Sequence, residues 1–485
     1  MVVGEMIEER DLVIIGGGPG GYTAAIRAAQ LGLNVTLIEK DQLGGICLNQ
    51  GCIPSKVWAY AARKQSEIPH MKQLGFDMES PKLNLDQLLT YKSNVTEQLR
   101  KGVESLCQGN QVEVIQGKAT FTSDNKMGVE NGHQFDIYQF KKAIIATGCT
   151  ATLPKSFSHN YERVVLSHDI FRLKELPNHL IVYGSDDISL EVAIDYQSFG
   201  SQVTLILPDA LTLDPSIEKE LMRVFKKKKI KVIKGVNGLS IEETDDQVQL
   251  EFTDDQGKER LIEGTHLYTS GMRKPNVEEL GLARFGVDQI EDGYIVVNNH
   301  AQTSNPNIYA IGDVTAEGPA LAVKAIKQGK VAAEAIAGGN PEADLTFLPT
   351  IIHTTPPIAS VGLTETVAKE HGLEYQIGEF SLKANGFAML SGQKEGLIKV
   401  VSDAKTEIIL GIHMIGSGAI ELSSSFVQLL EMAAKEEDVH FPNYAHPSMN
   451  EGLLEAVEAL TGHSIHQIDS KKKPHTSDSL TVKIR

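Results

Sequence analysis

Residues 12–39 read LVIIGGGPGGYTAAIRAAQLGLNVTLIE. Leu12–Ile15 is an apolar run of strand length that stops in a row of glycines. Tyr22 to Leu31 is rich in helix-forming residues and is ended by Gly32. Val35 to Ile38 make a second strand, closed by Glu39. Gly16, Gly18 and Gly21 therefore stand in a GxGxxG spacing inside a strand–helix–strand unit. A dinucleotide asks for these residues. The glycines let the backbone approach a pyrophosphate, the helix N-terminus stabilises its charge, and the acid at the end of the second strand accepts hydrogen bonds from ribose hydroxyls. With strand, helix, strand and acid in register, the stretch predicts a dinucleotide-binding Rossmann unit.

The pattern returns further along. Leu180 to Tyr183 is a strand followed by Gly184. Ile188 to Phe199 is helix-like, Gly200 ends it, and Val203 to Leu207 is a strand. Gly200 follows Gly184 at the offset by which Gly32 follows Gly16. This second unit has lost the residues that bind: Gly18 corresponds to Asp186, Gly21 to Ser189, and Glu39 to Leu207.

Composition bounds the rest. The chain has 485 residues, 41% hydrophobic and 22% charged, the balance of a soluble globular protein of about three domains. Lys+Arg is 46 and Asp+Glu 63, a formal charge of −17, which argues against a nucleic-acid partner. Four cysteines make no secreted disulfide framework. The first residues lack a basic flank with a long apolar run, and no stretch approaches the ~20 apolar residues of a membrane span. A cytoplasmic location without a membrane span is expected.

Residues 44–56 read GGICLNQGCIPSK. Cys47 and Cys52 have no second ligand pair at a spacing suited to zinc, and a structural disulfide is out of place in a reducing compartment. A redox pair facing a flavin is the better reading. The remaining cysteines, Cys107 and Cys149, are expected to be buried and structural.

Together with GGGPGGYTAAIRAAQLG, IIATG at 144–148, YAIGD at 309–313 and Tyr444-Ala-His446-Pro-Ser-Met-Asn-Glu451, this segment resembles the flavin-dependent pyridine nucleotide–disulfide oxidoreductases, and within them the dihydrolipoamide dehydrogenase branch. The likeness runs from about Asp11 to His466. It implies an α/β fold with two Rossmann-like dinucleotide-binding domains and a C-terminal α+β dimerisation domain. The corresponding boundaries are 1–150 and 274–347 for the two parts of the FAD-binding domain, the first carrying the disulfide. Residues 151–273 form the NAD-binding-like domain, 348–467 the interface domain and 468–485 a polar tail.

The resemblance also implies roles. FAD is expected on Gly16, Gly18, Gly21, Glu39, Lys56, Gly148 and Asp313. Cys47 would exchange with the substrate, and Cys52 would sit against the flavin as a charge-transfer thiolate. Lys56 would pair with Glu191. His446, oriented by Glu451 and supplied by the partner chain of a homodimer, would be the acid/base. Thiol–disulfide exchange needs a thiolate attacker and a protonated leaving sulfur. A histidine can serve both needs near neutral pH. The substrate implied is a dithiol or disulfide, with a lipoyl group on a 2-oxo acid dehydrogenase complex or related lipoyl protein as one candidate.

NAD, the acceptor in relatives, is where this chain departs. Gly184 is the one fingerprint glycine left for it. Asp186 and Asp187 stand at the helix N-terminus where phosphates belong, and the expectation is that one of them caps the helix instead. No Arg between Leu207 and Ser216 supports a switch to NADP, and Asp209 is a weak substitute for the lost acid. Met272 stands where relatives have Gly, Val323 for a His, Thr355-Pro-Pro357 for His-Pro-Glu, and Phe387 for an Arg. Two enzyme readings follow: dithiol oxidation with NAD as acceptor, or the same flavin–disulfide chemistry with weak or no NAD use and another acceptor. A third reading, a structural subunit keeping FAD for folding, conflicts with the intact Cys47, Cys52 and His446. Mercuric ion reduction lacks its extra C-terminal Cys pair here.

Overall fold

The apolar run Leu12–Ile15 forms the buried half of the strand Glu8–Ile15. In the computed structural model, which describes residues 8–77, 79, 81–153, 157 and 161–468, this strand lies inside a seven-stranded sheet. All but Ile468 of the expected 468–485 tail lies outside the described residues. Val35–Glu39 and Gln134–Ile145 flank the strand in parallel. Glu113–Gln116 pairs with the first of these, and Ile308–Ala310 with the second. Lys118–Ser123 and Lys126–Asn131 add antiparallel strands. Alternation decides the two faces. Leu12 and Ile14 join Ala24, Ala25 and Ala28 of the helix Pro19–Gln30, while Val13 and Ile15 join Phe121, Met127 and Phe140. A strand buried on both faces reads as a continuous apolar run.

The second Rossmann pattern also folds as expected. Lys231–Lys234, Gln202–Leu207, His179–Tyr183, His266–Thr269 and Val164–Leu166 form a parallel five-stranded sheet in that order. A three-stranded antiparallel sheet, Asn237–Glu243, Val248–Thr253 and Glu259–Gly264, lends Val248, Leu250 and Phe252 to a core shared with Ile181 and Ile206.

The chain divides into two compact units. Both Rossmann sheets belong to the first, built from residues up to Ala210 plus Lys228–Leu348. The second takes Leu211–Lys227 and the residues from Pro349 on. Its centre is an antiparallel sheet ordered Thr350–Ile352, Ile358–Gly362, Ile409–Ile415, Leu397–Asp403 and Tyr375–Ser381. The sequence predicts strands at Gly396–Val401 and Ile408–Ile415, within a residue or two of those observed. The helix predicted over Glu421–Lys435 runs Ala419–Glu431. It stops early because Ala433 adopts a left-handed φ of 48°, without a glycine to mark the end. The helix predicted over Leu453–Leu460 runs Glu451–Glu458 and continues as a 3₁₀ turn, Ala459–Thr461.

The helix Pro215–Lys227 packs on this sheet through a buried ionic staple. Lys399, 0% exposed on a central strand, donates to Asp214 Oδ1 (2.9 Å), Glu365 Oε2 (2.6 Å) and Ser216 Oγ (3.2 Å). Asp214 also accepts from the Ser216 and Glu365 backbone N–H groups. Burial opposes the charge on both ends, but their mutual hydrogen bonding wins. The Lys399 pKa is raised and the Asp214 pKa is lowered. Such a network, each charge paired and hydrogen-bonded, is tolerated in a core where a lone charge is not.

Candidate active site

The first Rossmann unit presents an open anion site. Gly16 has φ 102°, and a Cβ there would lie 2.4 Å from Ala146 O; a Cβ on Gly21 would lie 1.8 Å from Gly16 O. Strand and helix meet this closely only without side chains. A Cβ on Gly18 would meet nothing nearer than Gly45 Cα at 3.9 Å, so this face of the loop is open. The helix Pro19–Gln30 starts with no side-chain cap and no acid in its first turn, which leaves its N-terminal N–H groups for an anion. Glu39 closes the loop, accepting from Gly17 N (2.6 Å) and Asp41 N (2.8 Å). Gly148 turns the chain with φ 66° at the end of the strand that pairs with Glu8–Ile15. Asp313 stands in the 3₁₀ turn Gly312–Val314, with Arg273 Nη1 3.6 Å and Cys149 Sγ 3.7 Å from its Oδ2. These residues fit FAD: an uncapped helix end for pyrophosphate, an acid for ribose and a carboxylate for a polyol chain.

Cys47 and Cys52 are joined as a disulfide with Cα atoms 4.5 Å apart. The local sequence explains the pairing. Cys47 lies on the short helix Gly45–Asn49, and Cys52 is the first residue of the 22-residue helix Cys52–Gln73. Asn49 Nδ2 fastens the turn by donating to Leu43 O and Gly45 O, both at 3.0 Å. A sulfur at the start of a long helix meets the positive end of its dipole, which favours the thiolate once the disulfide opens. One turn along, Lys56 Nζ donates to both oxygens of Glu191, at 2.8 and 2.7 Å, and Glu191 is 2% exposed. Cys107 and Cys149 are buried, and burial pushes both thiols up to about 11, so they are inert near neutrality.

In the second unit, register makes the comparison with the first direct. Ile15 pairs with Ile38 and Tyr183 with Ile206, so Glu39 and Leu207 occupy the same place. Leu207 is 2% exposed. Asp186 caps the helix Asp187–Ser198, its Oδ1 accepting from Ile188 N and Ser189 N at 3.1 Å. Its Oδ2 accepts from Ser189 Oγ and Ser270 Oγ, both at 2.7 Å. The sequence shows Ser189 only as a lost glycine, and Ser270 carries no local signal.

Asp187 lies beside the cap. Burial first, then the charges of Asp186 and Glu191, push its pKa up to about 6. The folded chain thus holds this proton more tightly than the unfolded chain, and stability falls as pH rises from about 4 to about 6. Asp187→Asn is expected to raise stability at pH 7.5 by about 1–3 kcal/mol and by much less at pH 4.5. Thermal unfolding at the two pH values checks this.

In the compact unit that holds the residues from Pro349 on, His446 Nδ1 lies 2.7 Å from Glu451 Oε1, and Glu451 Oε2 accepts from Ser448 N at 2.8 Å. An ionised carboxylate only accepts, so Nδ1 carries the proton and Nε2 is left on an imidazole that is 82% exposed. Burial works against the Glu451 charge. The His446 and Ser448 hydrogen bonds outweigh it and lower its pKa. Glu451 opens the helix Glu451–Glu458, and Asn385 Nδ2 anchors the preceding loop through Ser448 O. Asn385 is a further support that the sequence did not reveal. Among the described residues, no group of three or more His, Cys, Asp or Glu is arranged to hold a metal ion.

Comparison with known proteins places this geometry. Residues 10–329 match the family model described as pyridine nucleotide-disulphide oxidoreductase, and 348–457 that family's dimerisation domain. A dihydrolipoyl dehydrogenase of Staphylococcus aureus is 38% identical over 96% of this chain and 100% of its own. One of Thermus scotoductus is 40% identical over 94% of this chain and 98% of its own. Among solved structures, LpdA from Mycobacterium tuberculosis superposes with a TM-score of 0.85 at 24% identity, covering 94% of this chain and all of that one. The HOCl-induced flavoprotein disulfide reductase RclA from Escherichia coli superposes with a TM-score of 0.83 at 25% identity, covering 93% and 99%.

Proposed function

The chain belongs to the pyridine nucleotide–disulphide oxidoreductase family, and from that membership we propose that it oxidises a dihydrolipoyl-type dithiol, with Cys47–Cys52 as the immediate electron acceptor. It is an FAD-dependent disulfide oxidoreductase with a dimerisation domain. The observation that carries the dithiol reading is the disulfide itself, formed at the start of the helix that one turn later carries Lys56, paired with Glu191.

The exchange balances on the chain's own groups. His446 Nε2 takes a proton from one substrate thiol, and the resulting thiolate attacks Cys47 Sγ. The Cys47–Cys52 bond breaks, and Cys52 leaves as a thiolate stabilised by the helix start. The imidazolium returns its proton to Cys47 as the second substrate sulfur attacks the mixed disulfide, and the imidazole takes that sulfur's proton. Substrate leaves as a disulfide, two electrons poorer. The chain is left with a Cys47 thiol, a Cys52 thiolate and a protonated His446. Glu451 holds the imidazole tautomer throughout and balances its charge.

Bound FAD would supply a two-electron acceptor for the reduced cysteine pair. Gly16, Gly18, Gly21, Glu39, Gly148 and Asp313 are the residues that would hold it, with Lys56 held in place by Glu191. In a homodimer built on residues 348–467, His446 of one chain would serve the cysteine pair of the other.

Anaerobic addition of one equivalent of dihydrolipoamide to the yellow protein is expected to alter the flavin spectrum within the mixing time of a stopped-flow experiment and to leave oxidised lipoamide in solution. An unchanged spectrum and unoxidised dithiol after prolonged incubation would remove the dithiol reading.

A further inference from the structure

We infer that the nucleotide crevice of the second Rossmann unit is filled by the chain's own Asp186 carboxylate and does not bind a pyridine dinucleotide. The two units make an internal control, because their strands share one register. Gly16 N donates to Ile38 O in the first, and Gly184 N donates to Ile206 O in the second. The loop and helix start that follow these two bonds differ.

In the first unit the helix N-terminus is bare, the loop faces open space at Gly18, and Glu39 stands where a ribose needs an acceptor. In the second, four donors at the helix start are already engaged. Ile188 N and Ser189 N point to one oxygen of Asp186, and the hydroxyls of Ser189 and Ser270 to the other. A carboxylate with its accepting positions filled in this way stands in for the anion that a helix N-terminus attracts.

Space is taken as well as charge. The position that Gly18 leaves open in the first unit carries the Asp186 side chain in the second, packed with Ser189 against Gly184, where a Cβ would lie 2.2 Å from Ser189 Oγ and 2.8 Å from Asp186 Oδ2. Ser185 Oγ donates to Asp209 O (2.8 Å) and accepts from Asp209 N (3.1 Å), clasping the loop to the chain beyond the second strand. The ribose position at the end of that strand is the buried, apolar Leu207. Asp187 adds a second carboxylate beside the first. A dinucleotide would have to break four hydrogen bonds, turn out one carboxylate, approach another and leave its ribose facing a methyl group. The family's nicotinamide cofactor therefore does not fit this crevice, although the family fold around it is retained.

The test is a binding measurement, so it stands apart from the dithiol reading, which is followed through Cys47. Isothermal titration of the FAD-loaded protein with NADH, and separately with ADP as the fragment that would sit in the crevice, is expected to show no saturable binding below about 1 mM. The variant carrying Asp186→Gly, Ser189→Gly and Leu207→Glu is expected to bind NADH at least ~100-fold more tightly. Asp186→Asn keeps the cap but removes the charge, and is expected to gain a smaller factor, about tenfold. Micromolar NADH affinity in the unmodified protein, competed by ADP, overturns the inference. So does a triple variant that folds, keeps its flavin and gains nothing. If the triple variant does not fold, the unmodified protein and Asp186→Asn decide the matter between them.

Discussion

Cys47→Ser is expected to lower dithiol oxidation by at least about 10⁴-fold, the scale on which removal of an attacked or attacking group acts, while FAD content and fold are unchanged. Serine keeps the size of the side chain but offers no disulfide to attack, so the substrate thiolate has no electrophile. Cys52→Ser separates the two sulfurs. Cys47 then remains as a lone, half-buried thiol on the helix Gly45–Asn49. With a linear disulfide such as oxidised 2-mercaptoethanol it should form a mixed disulfide, releasing one thiol of the probe to solution, and nothing within the chain resolves it. Mass spectrometry should find one such adduct per chain on Cys52→Ser and none on Cys47→Ser. The opposite pattern would exchange the roles of the two cysteines. Adducts on both would mean that the two sulfurs are equally open to the probe. Cys107 and Cys149, whose buried thiols are pushed up to about 11, should not contribute.

That the two cysteines matter was legible in thirteen residues, because the chemistry needs particular atoms at a particular spacing. The Rossmann units were legible for a similar reason: a strand buried on both faces must be apolar throughout, and the helix that covers it must start on glycines. Even the loss at the second fingerprint could be read, since Asp186 and Ser189 replace glycines and Asp187 adds a second carboxylate where charge matters most. What could not be read is anything decided by distant parts of the chain meeting. Ser270 completes the Asp186 cap from a strand end 84 residues away. Asn385 anchors the His446 loop from 63 residues away. The excursion of Leu211–Lys227 into the second unit had no local signature. Its amphipathic pattern says that one face is buried but not against which sheet, and the buried Lys399 that receives it looks like any strand lysine. The early end of the Ala419–Glu431 helix was hidden because Ala433, not a glycine, takes the left-handed turn.

The second large effect is expected at His446. His446→Gln keeps a polar side chain that can still meet Glu451, but it removes the group that carries protons between sulfurs. A decrease of about 10²–10⁴-fold in kcat/KM is expected, the usual contribution of general acid–base catalysis. The limb of the pH–rate profile that reports imidazole protonation should vanish with it. Glu451→Gln should cost less, because the imidazole stays and only its orientation and charge balance suffer. The lowered pKa of Glu451 keeps it ionised across the neutral range, so that variant should be slower at every pH above the acid range. A structural role for the pair would instead lower stability and leave the shape of the profile intact. Shared sites give one more discriminating result. In heterodimers of Cys47→Ser and His446→Gln chains, one site combines both substitutions and the other has neither. About half of the unmodified activity should return, on the general expectation that sites in a symmetric dimer act alike. Verified heterodimers that stay inactive would place His446 and the disulfide it serves on the same chain.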